Sequence, residues 1–110
     1  MKIRDLAEKL GFEVLAMPYP ELEVTGGYAG DLLSWVMGRA EEGNVWVTIM
    51  TNINVIAVAS LAGVSAAVIA ENAEIEENII SKAEEQGINL LRSPAPIFET
   101  VIAIGRELGM

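Results

Sequence analysis

Apolar residues recur at helical spacing from the start of the chain. Ile3, Leu6, Ala7 and Leu10 fall on one side of a helix over residues 2–10, and Gly11 stands where a helix stops. Phe12 to Ala16 then reads as a strand. Pro18-Tyr19-Pro20 enforces an extended loop, because proline fixes φ and disfavours helix in the residue before it. A second strand is expected from about Glu23 to Gly26. It breaks at the glycine pair Gly26-Gly27, crosses a short loop and opens a helix at Asp31. That helix runs to about Ala40, with Leu32, Leu33, Val36, Met37 and Ala40 inward and Gly43 at its end. In this reading Asp31 is the N-cap, its carboxylate accepting from the backbone N–H of Leu33 or Ser34.

The clearest strand is Val45 to Met50, rich in β-branched residues and apolar on both parities, as in a strand covered on both faces. Thr51-Asn52-Ile53-Asn54 supplies a turn and a cap, Val55 to Leu61 a helix of small residues ending at Gly63, and Ala66 to Ala70 another buried strand. Glu74, Glu76 and Glu77 load the start of the next helix, where negative charge is favourable; Ile75, Ile79, Ile80 and Ala83 form its inner stripe and Gly87 closes it. Ile88 to Leu91 is the last strand. Ser93-Pro94 turns the chain into a final helix over residues 96–108 that faces inward through Ile97, Val101, Ile104 and Leu108. Strands alternating with helices of one to three turns predict an α/β fold: a mostly parallel sheet of about five strands with helices on both faces, in three layers.

A chain of 110 residues forms one domain, residues 1–110, with no linker or low-complexity stretch. From Val45 to Ala70 there is no charged residue, which is long enough for a membrane span. The polar residues Thr48, Thr51, Asn52, Asn54, Ser60 and Ser65 interrupt that run and Gly63 divides it, so strand, helix and strand describe it better. The aromatics are few; Trp35 and Trp46 are expected in the core, with an aromatic platform as the other reading.

Sixteen acidic residues against seven basic ones give a net charge of −9, which repels phosphate backbones and anionic lipid heads. Nucleic acid and membrane surfaces are therefore not expected partners. Cysteine and histidine are both absent, which removes thiol catalysis, Ser-His-Asp chemistry, Cys/His zinc sites and disulfides. The charged opening Met1 to Asp5 is unlike a signal peptide, and a cytoplasmic location is the expectation. The glutamate pairs 41/42, 76/77 and 84/85 are sequence neighbours, which point apart on a helix and so do not converge on a cation. No catalytic residue, metal ligand or cofactor is assigned.

Two stretches carry candidate binding chemistry. Thr25-Gly26-Gly27 followed by the Asp31 helix has the order of a glycine-rich anion site, although no basic residue lies between Lys9 and Arg39 and Asp31 places a carboxylate where a phosphate would sit. Thr51, Asn52 and Asn54 cluster beyond the C-terminal end of the most buried strand, where open α/β sheets bind ligands; the same residues also serve as turn and helix caps. If both stretches formed walls of one nucleotide or phosphate pocket, they would lie side by side.

Val24-Thr25-Gly26-Gly27-Tyr28-Ala29-Gly30-Asp31-Leu32-Leu33-Ser34, Val45-Trp46-Val47-Thr48-Ile49, and Thr51 to Ala59, followed by Ala83 to Ile88, resemble the DRTGG domain over nearly the whole chain. Two departures stand out: Glu23-Val24 replaces the namesake Asp-Arg pair, and Asn52 stands where histidine is frequent. The resemblance implies a fold similar to the N-terminal domain of HPr kinase/phosphorylase. It also implies a regulatory or scaffolding role, since such domains sit beside CBS domains in regulated pyrophosphatases, where they contribute to subunit contacts, and at the head of some phosphotransacetylases. The expectation is a non-catalytic module that works beside a metabolic enzyme and responds to a small ligand such as a nucleotide or phosphorylated metabolite. The alternative is a nucleotide- or phosphate-binding protein linked to phosphoryl transfer. The apolar content of so short a chain further predicts a homodimer.

Overall fold

The computed structural model describes residues 1–110. The chain runs α1 (Ile3–Leu10), β1 (Glu13–Ala16), β2 (Gly26–Ala29), α2 (Leu33–Arg39), β3 (Asn44–Thr48), α3 (Asn54–Ala62), β4 (Ala66–Ile69), α4 (Glu77–Gln86), β5 (Leu90–Arg92) and α5 (Ile97–Glu107). The five strands form one sheet in the order β1-β5-β4-β3-β2, parallel except for β1, which pairs antiparallel with β5. Period-two alternation sorts the strand side chains between two cores. Trp46, Ala67, Ile69 and Leu90 join Val36, Val55, Ile56, Ala59, Ile79 and Ala83 beneath α2, α3 and α4. Val45, Val47, Ala66, Val68 and Leu91 meet Ile3, Leu6, Ala7 and Ile104 of α1 and α5 on the other face. The three layers are those that the pattern predicts.

The uncharged stretch from Val45 to Ala70 is β3, α3 and β4, and no helix is long and apolar enough to cross a membrane. Gly11, Gly63 and Gly87 end α1, α3 and α4 in left-handed conformation, as expected.

The second strand lies further along than predicted. Residues 20–24 bond to the start of the chain instead: Ile3 N–H donates to Leu22 O (2.9 Å), Arg4 N–H to Pro20 O (3.2 Å) and Val24 N–H to Met1 O (2.8 Å). Sheet pairing begins at Gly26 opposite Asn44 and continues through the glycine pair to Ala29 opposite Val47. Glycine's poor strand propensity hides this from a local reading; the neighbouring strand supplies the ladder. Gly43 does not end α2, which stops at Arg39. It makes the turn into β3 at φ 85°, and a Cβ there would lie 2.7 Å from Thr25 Cγ2.

The winding bears on where a ligand can bind. Going from β2 to β5, each parallel strand is laid down beside the last in a single direction, with α2, α3 and α4 all on one face. There is no point among these strands at which the order reverses, so the crevice that holds dinucleotides in doubly wound folds is missing. Any site at the carboxyl end of this sheet must be built by the loops.

Candidate functional site

The loops after β2 and β3 meet at that end. Asp31 Oδ1 accepts from Thr48 Oγ1 (2.6 Å) and from Ile49 N–H (3.0 Å). Thr48 Oγ1 in turn accepts from Met50 N–H (3.3 Å), and the buried Trp46 donates Nε1–H to Gly30 O (2.9 Å). Asp31 is therefore not the N-cap of α2. The helix starts at Leu33, after Leu32, with no side-chain cap, because the carboxylate is committed to the end of β3. The same bond ends β3 at Thr48, two residues earlier than the pattern predicts, since Ile49 N–H turns to Asp31.

Asp31→Ala removes the acceptor of the fully buried Thr48 hydroxyl as well as that of the Ile49 amide. It is expected to destabilise the protein by about 2 kcal/mol in denaturant titration. Asp31→Asn keeps an acceptor oxygen and is expected to recover most of that loss.

Beyond β3, Asn52 Oδ1 accepts from Asn54 N–H (2.9 Å), an Asx turn that opens α3. The capping reading of Asn52 is thus seen directly. The half-buried Thr51 hydroxyl and the exposed Asn54 side chain make no hydrogen bond to the chain, and Asn54 lines a groove with Ile56 of α3 and Lys82 and Gln86 of α4.

The other candidates lie elsewhere. Thr25 Oγ1 donates to Glu42 O (2.8 Å) and accepts from Asn44 Nδ2 (3.3 Å), and Thr25 N–H donates to Gly43 O (3.1 Å). Gly26 is buried opposite Asn44, where β3 begins, and Gly27 is in mid-strand. The four residue steps of β3 place this cluster about 13 Å from Thr48 along the strand. The structure therefore brings Asp31, Thr51, Asn52 and Asn54 to the carboxyl end and leaves Thr25, Gly26 and Gly27 at the amino end. The two stretches are not walls of one pocket. Nor do Gly26 and Gly27 form a loop leading into a helix N-terminus, since they belong to strand β2.

The two tryptophans separate as well. Trp46 is core, but Trp35 is 51% exposed, with the Arg39 guanidinium 3.8 Å above its ring. Leu32 and Met37, expected inward, are exposed too. The helix is seven residues long and outermost in its layer, packed chiefly against α3, and only Val36 is fully buried.

Three polar residues with defined roles carry weak sequence signals. Thr48 holds Asp31. Glu71 Oε2 accepts from Ile97 N–H (3.1 Å) at the start of α5, although Glu71 and Asn72 adopt left-handed φ of 63° and 52°. Asn89 is buried and bonds to Tyr19 and Ser65. A lone polar residue inside an apolar strand, as at Thr48 and Asn89, is the available signal. The carboxylates do not gather: no group of three or more Asp or Glu side chains could hold a metal ion.

No protein-family model matches the chain, and no curated protein matches it. Among solved structures it is similar to the CBS and DRTGG domains of the regulatory region of a Clostridium perfringens pyrophosphatase, determined in complex with its activator, diadenosine tetraphosphate. The TM-score is 0.73 at 14% sequence identity over 91% of this chain. The chain spans 44% of the length of that neighbour. Its fold is thus one found in the regulatory region of an enzyme.

Proposed function

We propose that this chain is a non-catalytic regulatory module that senses a small phosphorylated ligand, self-associates, and acts on or beside a metabolic enzyme. The observation that carries this reading is the fold match to a regulatory region that was crystallised with an activating nucleotide. The carboxyl-end residues support it. Thr51 and Asn54 offer unused hydrogen-bonding groups at the opening of the nine-residue helix α3, whose N-terminus favours negative charge. Asp31 fixes the neighbouring loop and is a positioning residue.

A thermal-shift series with diadenosine tetraphosphate, adenine and guanine nucleotides, acyl phosphates and inorganic phosphate tests the reading. A ligand at a hundredfold its dissociation constant stabilises the fold by about 2.7 kcal/mol, and Tm is expected to rise by about 10 °C. In Asn52→Ala, which removes the Asx turn, that rise is expected to shrink or vanish. Silence across the series from well-folded protein contradicts ligand sensing. Turnover of any of these compounds contradicts the non-catalytic assignment.

A further inference from the structure

The two edges of the sheet are built differently. At β1 the register with β5 shifts between Val14 and Ala16, Glu13 pairs with Arg92 through a 2.6 Å contact, and Pro18 and Pro20 follow within four residues. A bulge, a charge and prolines are devices that stop an edge from pairing with another chain. The β2 edge has none of them. It is Gly26-Gly27-Tyr28-Ala29, regular against β3 throughout its length, with Gly27 and Ala29 exposed.

Apolar surface flanks this open edge on both faces of the sheet. On one side Gly27 and Ala29, in register with Val45 and Val47, put almost no bulk beneath α5. They leave a cavity of about 130 Å³, lined also by Val101, Ile104 and Met110. Val101 is 39% and Met110 82% exposed. On the other side lies α2, the outermost helix of its layer, with Trp35 and Met37 exposed on it and Leu32 exposed just before it.

An open strand edge is self-complementary, since an antiparallel copy offers it matching donors and acceptors, and charge does not oppose that occupant. An identical chain of net charge −9 is repelled by most of this surface, but not here. From Gly26 to Ala40 the only acid is Asp31, bonded to Thr48 and Ile49, and from Thr100 to Arg106 there is none. Arg39 of α2 and Arg106 of α5 are the two basic side chains that form no ion pair. We infer that β2 pairs antiparallel with β2 of a second copy across a two-fold axis. This joins the two sheets into one of ten strands, with α2 beside its counterpart on one face and α5 beside its counterpart on the other. The surface gives geometry to the proposed self-association and rests on it.

Sedimentation at micromolar concentration tests the pairing, with circular dichroism as the folding control. The unaltered chain is expected to be a dimer. Ala29→Lys, a charge on the strand edge, and Val101→Glu, on the α5 flank, are each expected to weaken it at least tenfold, whereas Leu61→Glu, on the far exposed side of α3, leaves it intact. A monomeric unaltered chain overturns both the surface and self-association. A dimer that survives Ala29→Lys and Val101→Glu, or that Leu61→Glu dissociates, overturns the surface alone. Hydrogen exchange on the unaltered chain needs no variant: those amides of Gly26 to Ala29 that point away from β3 must gain protection as concentration rises, and protection that does not change overturns the pairing. None of these outcomes bears on the thermal-shift result, so failure of ligand sensing is distinguishable.

Discussion

Trp46→Ala is expected to lower stability by about 4 kcal/mol, as for other buried aromatic truncations. That is a large share of the 5–15 kcal/mol by which a typical domain is stable, and Tm is expected to fall by about 20 °C. Trp46 lies in the second strand from the β2 edge, fully buried, with its ring in the core beneath α2, α3 and α4. Its indole also performs a second task, because Nε1–H holds Gly30 O at 2.9 Å. Trp46→Phe separates the two contributions. It keeps most of the apolar volume and loses the hydrogen bond, and its smaller cost, about 1–2 kcal/mol, is expected to come with a loosened Gly30-Asp31 turn. Urea titration of both variants gives the energies, and amide exchange at Asp31 and Ile49 reports the turn.

Asn89 is expected to be almost as sensitive. Its Oδ1 accepts from Tyr19 N–H (3.0 Å), and its Nδ2 donates to Tyr19 O (2.8 Å) and to Ser65 O (2.9 Å). One buried side chain thereby clamps the Pro18-Tyr19-Pro20 loop to the starts of β4 and β5. Asn89→Ala leaves an amide and two carbonyls without these partners and is expected to cost about 3 kcal/mol. Asn89→Asp makes the chemistry explicit. An ionised carboxylate still accepts from Tyr19 N–H but faces the carbonyls of Tyr19 and Ser65, whereas a protonated one donates to one of them. Burial and those carbonyls raise the carboxyl pKa in the folded state above its unfolded value. The variant therefore gains stability relative to the parent as pH falls through that raised pKa, and loses it as pH rises. Thermal melts of the two proteins at pH 5 and pH 8 check the sign.

The elements that local pattern determines are the ones that match. Three glycines stop three helices, and β-branched runs make the strands that are buried on both faces. Where the sequence misleads, a long-range bond has displaced a local one. Asp31 looks like a helix cap because it precedes an amphipathic run, but Thr48 and Ile49 claim its carboxylate from 17 and 18 residues away. Gly26-Gly27 looks like a break because glycine is a poor strand former, but β3 supplies a complete ladder beside it. Leu32 and Met37 look like core because their helix has an apolar stripe, but a seven-residue helix at the outside of its layer buries only Val36 fully. The first candidate motif is itself split, with Asp31 at the carboxyl end beside Thr51 to Asn54 and Thr25 to Gly27 toward the amino end, because β2 begins at Gly26 where the local pattern ends it.

The same geometry narrows where the proposed ligand can act. Asp31 and Thr51 to Asn54 are the polar loops at the carboxyl end, whereas the β2 edge is apolar and runs along the side of the sheet. The turn at Gly30 and Asp31 joins the two, since it directly follows β2 and is held by Trp46 and Thr48. A ligand that ordered this turn would also stiffen the strand through which two copies are inferred to pair.

The most direct test of the central claim is a ¹H–¹⁵N correlation titration of the unaltered protein with the ligand that gives the largest thermal shift, starting from diadenosine tetraphosphate. Saturable shifts centred on Asp31, Ile49 and Thr51 to Asn54 are predicted, with residues Thr25 and Gly43 at the other end of the sheet unaffected. Shifts confined to the amino end, or none with any compound of the series, would contradict a ligand-sensing site at the carboxyl end.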